Sequence, residues 1–399
     1  MRRTLRTAPP SGPRWPGRIA VGLIAVVALL GAVAGRPPQA AAAPPPPVSA
    51  KAYVIMDQQT GVVLASQNAD ERLPMASTTK IMTGLLVLER FRNFDTVVRA
   101  RRDAVGVGQD EIYLQVGEKL TVYQLLEALL IQSANDAAAD LADAVSGSQP
   151  AFVALMNAKA RELGLTNTHY ENPHGLDQRG HYTSALDLTR LARVAMSDPR
   201  FAGFVDHYTA TIPWAHHPYD RVLVSHNELL EHYQWVYGVK TGWTDRAGYC
   251  IVAAGHVRGH DIFVTLLGEP DDAHRVADAL KLFRWSASQY RERDAWPSGT
   301  VFARVAVPWH AGKLDLVAGA PIRASLRIGA TVTTKVEAPA HVSLPVMRGQ
   351  PLGTVRAFAD GRSIGSEHLV AAASYGRVGL LGKVGYELHS AVHWLAARL

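Results

Sequence analysis

A single cysteine, Cys250, is all the thiol chemistry that the 399 residues hold, and one cysteine excludes an intramolecular disulfide. Cys250 sits inside the apolar run Gly248-Tyr-Cys-Ile-Val-Ala-Ala254 and reads as a small hydrophobe on a buried strand. Metal-ligand spacing is missing too. The histidines are scattered, no His-Glu-x-x-His occurs, and His216-His217 form a local pair in a polar loop. No metal site and no cofactor are therefore expected. The formal net charge is only +6, and much of the excess lies at Arg2, Arg3, Arg6, Arg14 and Arg18. No dense Lys/Arg patch interleaved with aromatics follows, so the pattern of a nucleic-acid binder is absent.

What is present begins with an export signal. A basic stretch ends at Arg18, an apolar run extends from Ile19 to Gly35, and the small residues Ala40 to Ala43 follow. A charged region, an apolar region and an A-x-A type cleavage site stand in the order of a signal peptide, residues 1–43. The other reading is an uncleaved anchor, for which the run is short and weakened by Gly and Ala. Under either reading the rest of the chain works outside the cytoplasm. Pro44 to Pro47 open a short proline-rich linker, residues 44–50.

The chain is long enough for two folded domains plus tails. A strand pair is expected at Ala52–Met56 and Val62–Leu64, around the turn Asp57-Gln-Gln-Thr-Gly61. Helical patterning runs from Ser77 to about Met196, with Thr121 as a cap. Strands return at Tyr249–Ala254 and Ile262–Leu267, and a helix spans about Ala273 to Tyr290. A sheet begun by the first strands and completed by the last, with helices between, is an α+β layout over residues 51–297. After Trp296-Pro297-Ser-Gly299, short apolar runs alternate with Gly and Pro, which reads as a small all-β domain over residues 298–370.

Three short motifs carry the chemistry. Ser77-Thr78-Thr79-Lys80 precedes a helical apolar run, which places Ser77 at a helix N-terminus with Lys80 on the same face. The amine then reaches the hydroxyl, and free N–H groups face a developing oxyanion. As a base Lys80 must be neutral, and at an ordinary pKa of about 10.4 only about one molecule in 2,500 is neutral at pH 7. That is a penalty of roughly 4.6 kcal/mol, which burial and a second nearby ammonium would remove. Ser133-Ala134-Asn135 supplies a hydroxyl and an amide for proton relay and positioning; each residue type also caps helices. Lys240-Thr241-Gly242 puts a cation and a hydroxyl on an edge strand, suited to gripping a carboxylate, and Gly242 lets the backbone lie close to a ligand. Each motif alone is weak. The ordered set is that of penicillin-binding proteins and class A β-lactamases.

At these residues the sequence resembles the serine D-alanyl-D-alanine carboxypeptidases among the low-molecular-mass penicillin-binding proteins. The likeness extends to Asn172-Pro-His-Gly-Leu176, His181–Leu188 and His226-Asn-Glu-Leu-Leu230. It implies a penicillin-recognising transpeptidase/β-lactamase-like catalytic domain followed by a small all-β domain. Ser77 would be the nucleophile, Lys80 its base, and Ser133 and Asn135 the relay and positioning groups. Lys240 and Thr241 would bind a terminal or β-lactam carboxylate, and the N–H groups of Ser77 and Trp243 would form the oxyanion hole. Trp243 departs from the smaller ring often found there, which leaves the shape of the cleft open. Arg275 falls where relatives carry an arginine near the substrate carboxylate; a solvated helix face is the other reading. The partners implied are peptidoglycan stem peptides and β-lactams. A class A β-lactamase is disfavoured because Glu171 has no Leu-Asn after it, and a D,D-endopeptidase shares the motifs. A catalytically dead wall-binding protein is disfavoured by intact Ser77, Lys80 and Lys240.

The last segment, residues 371–399, regains helical periodicity. Leu381, Val384, Leu388, Val392, Leu395 and Leu399 trace one stripe among Arg377, Lys383, Glu387, His389, His393 and Arg398, with Trp394 as an interfacial aromatic. Such a helix suits a membrane surface rather than a span. The other expectation is a helix packed on the β domain.

Overall fold

The computed structural model describes residues 43–396. Nearly all of the expected signal peptide, and Arg398 and Leu399 of the tail stripe, lie outside the described residues. In chain order the elements are β1 (Ala52–Asp57), β2 (Val63–Gln67), α1 (Lys80–Arg90), β3 (Val97–Arg99), β4 (Lys119–Thr121), α2 (Val122–Leu130), α3 (Asn135–Ser146), α4 (Gln149–Glu162), α5 (Ala185–Met196), α6 (Pro199–Val205), β5 (Thr209–Ile212), β6 (Arg221–Val224), α7 (Glu228–His232), β7 (Val236–Thr244), β8 (Gly248–Val257), β9 (His260–Glu269) and α8 (Asp272–Gln289). Then follow β10 (Tyr290–Asp294), β11 (Val301–Ala306), β12 (Lys313–Ala318), β13 (Arg323–Arg327), β14 (Val332–Glu337), β15 (Pro351–Ala359), β16 (Arg362–Ala371) and α9 (Leu380–Ala396).

The central sheet has the order β2-β1-β9-β8-β7, antiparallel throughout. The first strands therefore do close against the last. In β1 the side chains alternate between faces: Ala52, Val54 and Met56 enter the core under α1–α6, and Tyr53 and Ile55 enter the core beneath α8. Burial on both faces explains why the strand reads as an unbroken apolar run. Helix α2 starts where Thr121 accepts the Gln124 N–H and Gln124 answers to the Thr121 N–H, a capping box that satisfies two otherwise unpaired donors. Cys250 is buried, as a strand hydrophobe should be.

The C-terminal unit holds a second antiparallel sheet, β11-β12-β16-β15-β14, over its own apolar cluster. Its hydrogen bonding starts ahead of the turn at 297–299, because β10 pairs with β13. On helix α9 the described part of the apolar stripe is in solvent: Leu381 is 91 % exposed and Leu388 64 %. Tyr386 meets Trp309 edge-on, but the stripe itself is not packed on the β domain. Among the described residues, no helix is long and apolar enough to cross a membrane.

Candidate active site

Ser77 lies in a 3-10 turn, Ala76–Thr79, that runs directly into α1. The expected helix N-terminus is thus a tightened first turn, which keeps Ser77 and Lys80 on one side. Ala76, just before the nucleophile candidate, has φ +48°. A left-handed alanine is strained and persists only where its surroundings over-determine it. Two glycines do so. A Cβ on Gly175 would stand 2.0 Å from Ala76 O, and one on Gly242 would stand 2.7 Å from Ser77 N. Backbone from the 172–177 loop and from β7 therefore clamps the turn from two sides. The approach of Gly242 also brings β7 against the backbone of Ser77. The turn is held further by a buried relay. His181 Nδ1 accepts the Glu171 N–H, so Nε2 carries the proton and donates to Thr79 Oγ1 at 2.8 Å, while Thr79 donates to Ala76 O. Burial pushes His181 down to about 4, which keeps the ring neutral.

Lys80 is fully buried. Its Nζ lies 2.9 Å from Ser77 Oγ and donates to Asn135 Oδ1 at 2.6 Å and to His174 O at 2.8 Å. A neutral amine has two N–H groups and one lone pair. With both protons given to these two acceptors, the lone pair is left for the Ser77 hydroxyl. Burial holds the Lys80 amine well below the usual lysine range, helped by the Lys240 ammonium and opposed by Asp110 and Asp136. The two causes expected from the sequence, burial and a second ammonium, are both in place. Asn135 is fixed from its other end, since its Nδ2 donates to Gly108 O and its N–H to Asp110 O.

Lys240 is itself buried on the edge strand β7 and donates to Thr241 O. Burial brings it down to about 7, with Asp110 acting upward and Arg275 downward. A carboxylate bound beside it would raise that value and hold the ammonium form. Ser133 has φ +69°, and its buried Oγ has no protein partner. Ser77, Ser133, Thr241, Gly242, Trp243 and Arg275 all line one cleft of about 400 Å³. Arg275 is only 4 % exposed, so the solvated-face reading fails. Its guanidinium pairs with Asp272, donates to His226 O and lies 5.6 Å over the Tyr249 ring. Trp243 is 46 % exposed at the rim. Glu171 pairs with His169 at 3.2 Å and is not part of the cleft lining.

The profile of D-alanyl-D-alanine carboxypeptidases matches residues 39–270. The chain belongs to this family. It is 33 % identical over 347 residues to the D-alanyl-D-alanine carboxypeptidase DacF of Bacillus subtilis, covering 83 % of this chain and 87 % of the relative. It is 31 % identical over 354 residues to DacC of Escherichia coli, covering 84 % and 87 %. Penicillin binding protein 5 of Haemophilus influenzae superimposes with a TM-score of 0.71 at 26 % identity, over 84 % of this chain and all of that structure. The penicillin-recognising domain with its β-rich C-terminal unit is thus the family fold. Several contributors to this D-alanyl-D-alanine carboxypeptidase cleft carried no assigned role in the sequence. Asp110 and His226 line it, their side chains 3.8 Å apart; His174 offers its carbonyl, and Gly175 its missing Cβ. The stretches Asn172–Leu176 and His226–Leu230 were visible as family pattern, and only folding shows what they touch.

Proposed function

We propose that this chain removes the terminal D-alanine from peptidoglycan stem pentapeptides through an acyl-enzyme on Ser77, and that β-lactams acylate the same hydroxyl. The observation that carries this reading is the buried Lys80 amine at 2.9 Å from Ser77 Oγ with its two protons engaged elsewhere. Lys80 takes the hydroxyl proton as Ser77 Oγ attacks the penultimate carbonyl carbon. The N–H groups of Ser77 and Trp243 receive the oxyanion. Lys240, Thr241 and Arg275 hold the terminal carboxylate, the pairing that cations and hydroxyls favour. When the tetrahedral intermediate collapses, the C–N bond breaks and free D-alanine leaves with a proton delivered through Ser133. Water then repeats the sequence on the ester, with Lys80 again as base, and regenerates Ser77.

The work site follows from the substrate. The chain acts outside the cytoplasm, exported by its first segment, residues 1–43. Helix α9 lies on the outer membrane–water boundary, with Leu381, Val384 and Leu388 toward the acyl chains; their exposure supports this placement.

Benzylpenicillin should add one adduct to the purified protein by intact mass, and a pentapeptide should release D-alanine. Ser77→Ala should do neither. An adduct that persists on Ser77→Ala would sink the assignment.

A further inference from the structure

Helix α3 carries Asp136, Asp140 and Asp143 at the i, i+4, i+7 spacing that shares a face, with Asn135 one position ahead of them at the helix start, and together the four grip a single stretch of chain. Asn135 takes the middle, by way of Gly108 O and Asp110 O. Asp136 takes the far end, accepting the Ile112 N–H at 3.1 Å and the Leu114 N–H at 2.9 Å. Asp140 takes the near end, accepting the Arg101 N–H at 3.2 Å. Asp143 stands 3.8 Å from the Arg101 guanidinium, which donates onward to Gly147 O. The stretch between these grips is not shaped by packing at its glycines: Gly106 and Gly108 have φ +74° and +98°, and no atom lies within 4 Å of where their Cβ atoms would stand. It ends in Gln109 and Asp110, both of which line the cleft.

We propose that Asp140 is a positioning residue for acylation: by holding the Arg101 N–H it fixes the entry of residues 101–114, and so sets where Gly108 and Asp110 meet Asn135. This rests on the reading of Ser77 and Lys80 given above. The chain of contact is short. Asp140 anchors Arg101, the glycine segment carries Gly108, Gly108 O holds the Asn135 amide, and Asn135 Oδ1 occupies one proton of Lys80. An Asn135 amide free to rotate would leave that proton competing for Ser77.

Stability gives no reason for a charge at this position. Asp140 is 1 % exposed, and burial, with Asp143 and Asp136 nearby, pushes its carboxyl up to about 6. An acid shifted upward in the folded state destabilises the fold at neutral pH when ionised. Asparagine keeps an acceptor oxygen in nearly the same place without the charge.

The test compares Asp140→Ala with Asp140→Asn in the full chain. Stopped-flow acylation by benzylpenicillin, thermal melting and hydrogen exchange of residues 101–114 are read together. Removing the acceptor should slow acylation by about tenfold or more and speed exchange in that segment. The asparagine variant should restore both and melt above the wild type. An unchanged acylation rate in Asp140→Ala, or an equal loss in Asp140→Asn, overturns the proposal. If Asp140→Ala does not fold, Asp140→Ser, whose hydroxyl is too short to reach Arg101, carries the same comparison. If the wild type itself takes no penicillin, the reading of Ser77 fails, and exchange in the two variants still decides whether Asp140 braces the segment.

Discussion

The cleft and the tail break the same rule in opposite directions. Around Ser77, two lysines are 0 % and 3 % exposed, although lysine is among the residues least often buried. Along α9, leucines are 64–91 % exposed, although a free helix face of that kind gains nothing in water. At the cleft the cost of burial is offset by acceptors placed on the Lys80 amine and by a shift toward the neutral form, which is the form a general base requires. Among the described residues nothing covers Leu381, Val384, Leu388 or Val392 of α9, and a lipid boundary is the surroundings that would. A misplaced residue type thus points to chemistry when it is buried and polar, and to a non-aqueous surface when it is exposed and apolar.

The comparison breaks most visibly at Lys80. Lys80→Met keeps the volume and removes the amine, so acylation by penicillin should fall by roughly 10²–10⁴ while melting temperature holds or rises. A loss of less than about tenfold would mean that another group deprotonates Ser77.

A buried cation with no part in the chemistry sharpens it. Arg221 meets Glu118 through two bonds, of 2.7 and 3.0 Å, with both side chains at least 95 % buried. Burial works to raise the Glu118 carboxyl, yet the Arg221 bonds hold it below the usual range. Arg221→Met strands that carboxylate and should cost about 3–5 kcal/mol of stability by chemical denaturation, with the double variant Arg221→Met, Glu118→Leu recovering much of it. The same loss in the double variant would show that the pair matters for shape rather than charge.

Acid gives a smaller effect of defined sign. His181 is depressed to about 4, so the unfolded chain takes up the proton first. Its contribution is whole above about pH 6.5 and is lost as pH falls toward 4, about 2 kcal/mol between pH 7 and 5. Asp140 and Asp143, both raised to about 6, act the other way as pH falls. Subtracting the His181→Asn profile of unfolding free energy from that of the wild type isolates the histidine, and a flat difference from pH 7 to 5 would contradict the neutral ring.

The smallest expected effect on catalysis comes from the tail. Truncation after Ala373 should leave penicillin acylation unchanged and abolish sedimentation with anionic liposomes. If both forms remain in the supernatant, the membrane-surface reading of α9 is lost. If truncation unfolds the β unit, the helix is a packed element.

Residues tied by short spacing were legible. Three positions separate Ser77 from Lys80 and two separate Ser133 from Asn135, so helix and turn geometry alone implied joint action. Arg275 was ambiguous, because a helix sequence does not say which face meets a cleft; it took β7, β8 and the 225–227 segment to bury it. Asp110 drew no reading from the sequence, because its neighbours Asn135 and His226 lie far along the chain. Glycine shows the same divide. Gly242 stood in a motif that called for close approach, while Gly175 owes its necessity to Ala76 O, about a hundred residues away in sequence.

The sequence by itself determined the first and last strands of the central sheet with helices between, the three motifs, and an amphipathic stripe at the end, because periodicity and short-range reach are local properties of a chain; the short strands β3 to β6 were not legible in it. Tertiary structure alone decided that burial holds Lys80 well below the usual lysine range, that Asn135 and His174 O accept from its amine, and that two glycines pinch the Ser77 turn. Burial, pKa and backbone contact depend on what many distant segments place around one atom, and no stretch of sequence contains that sum.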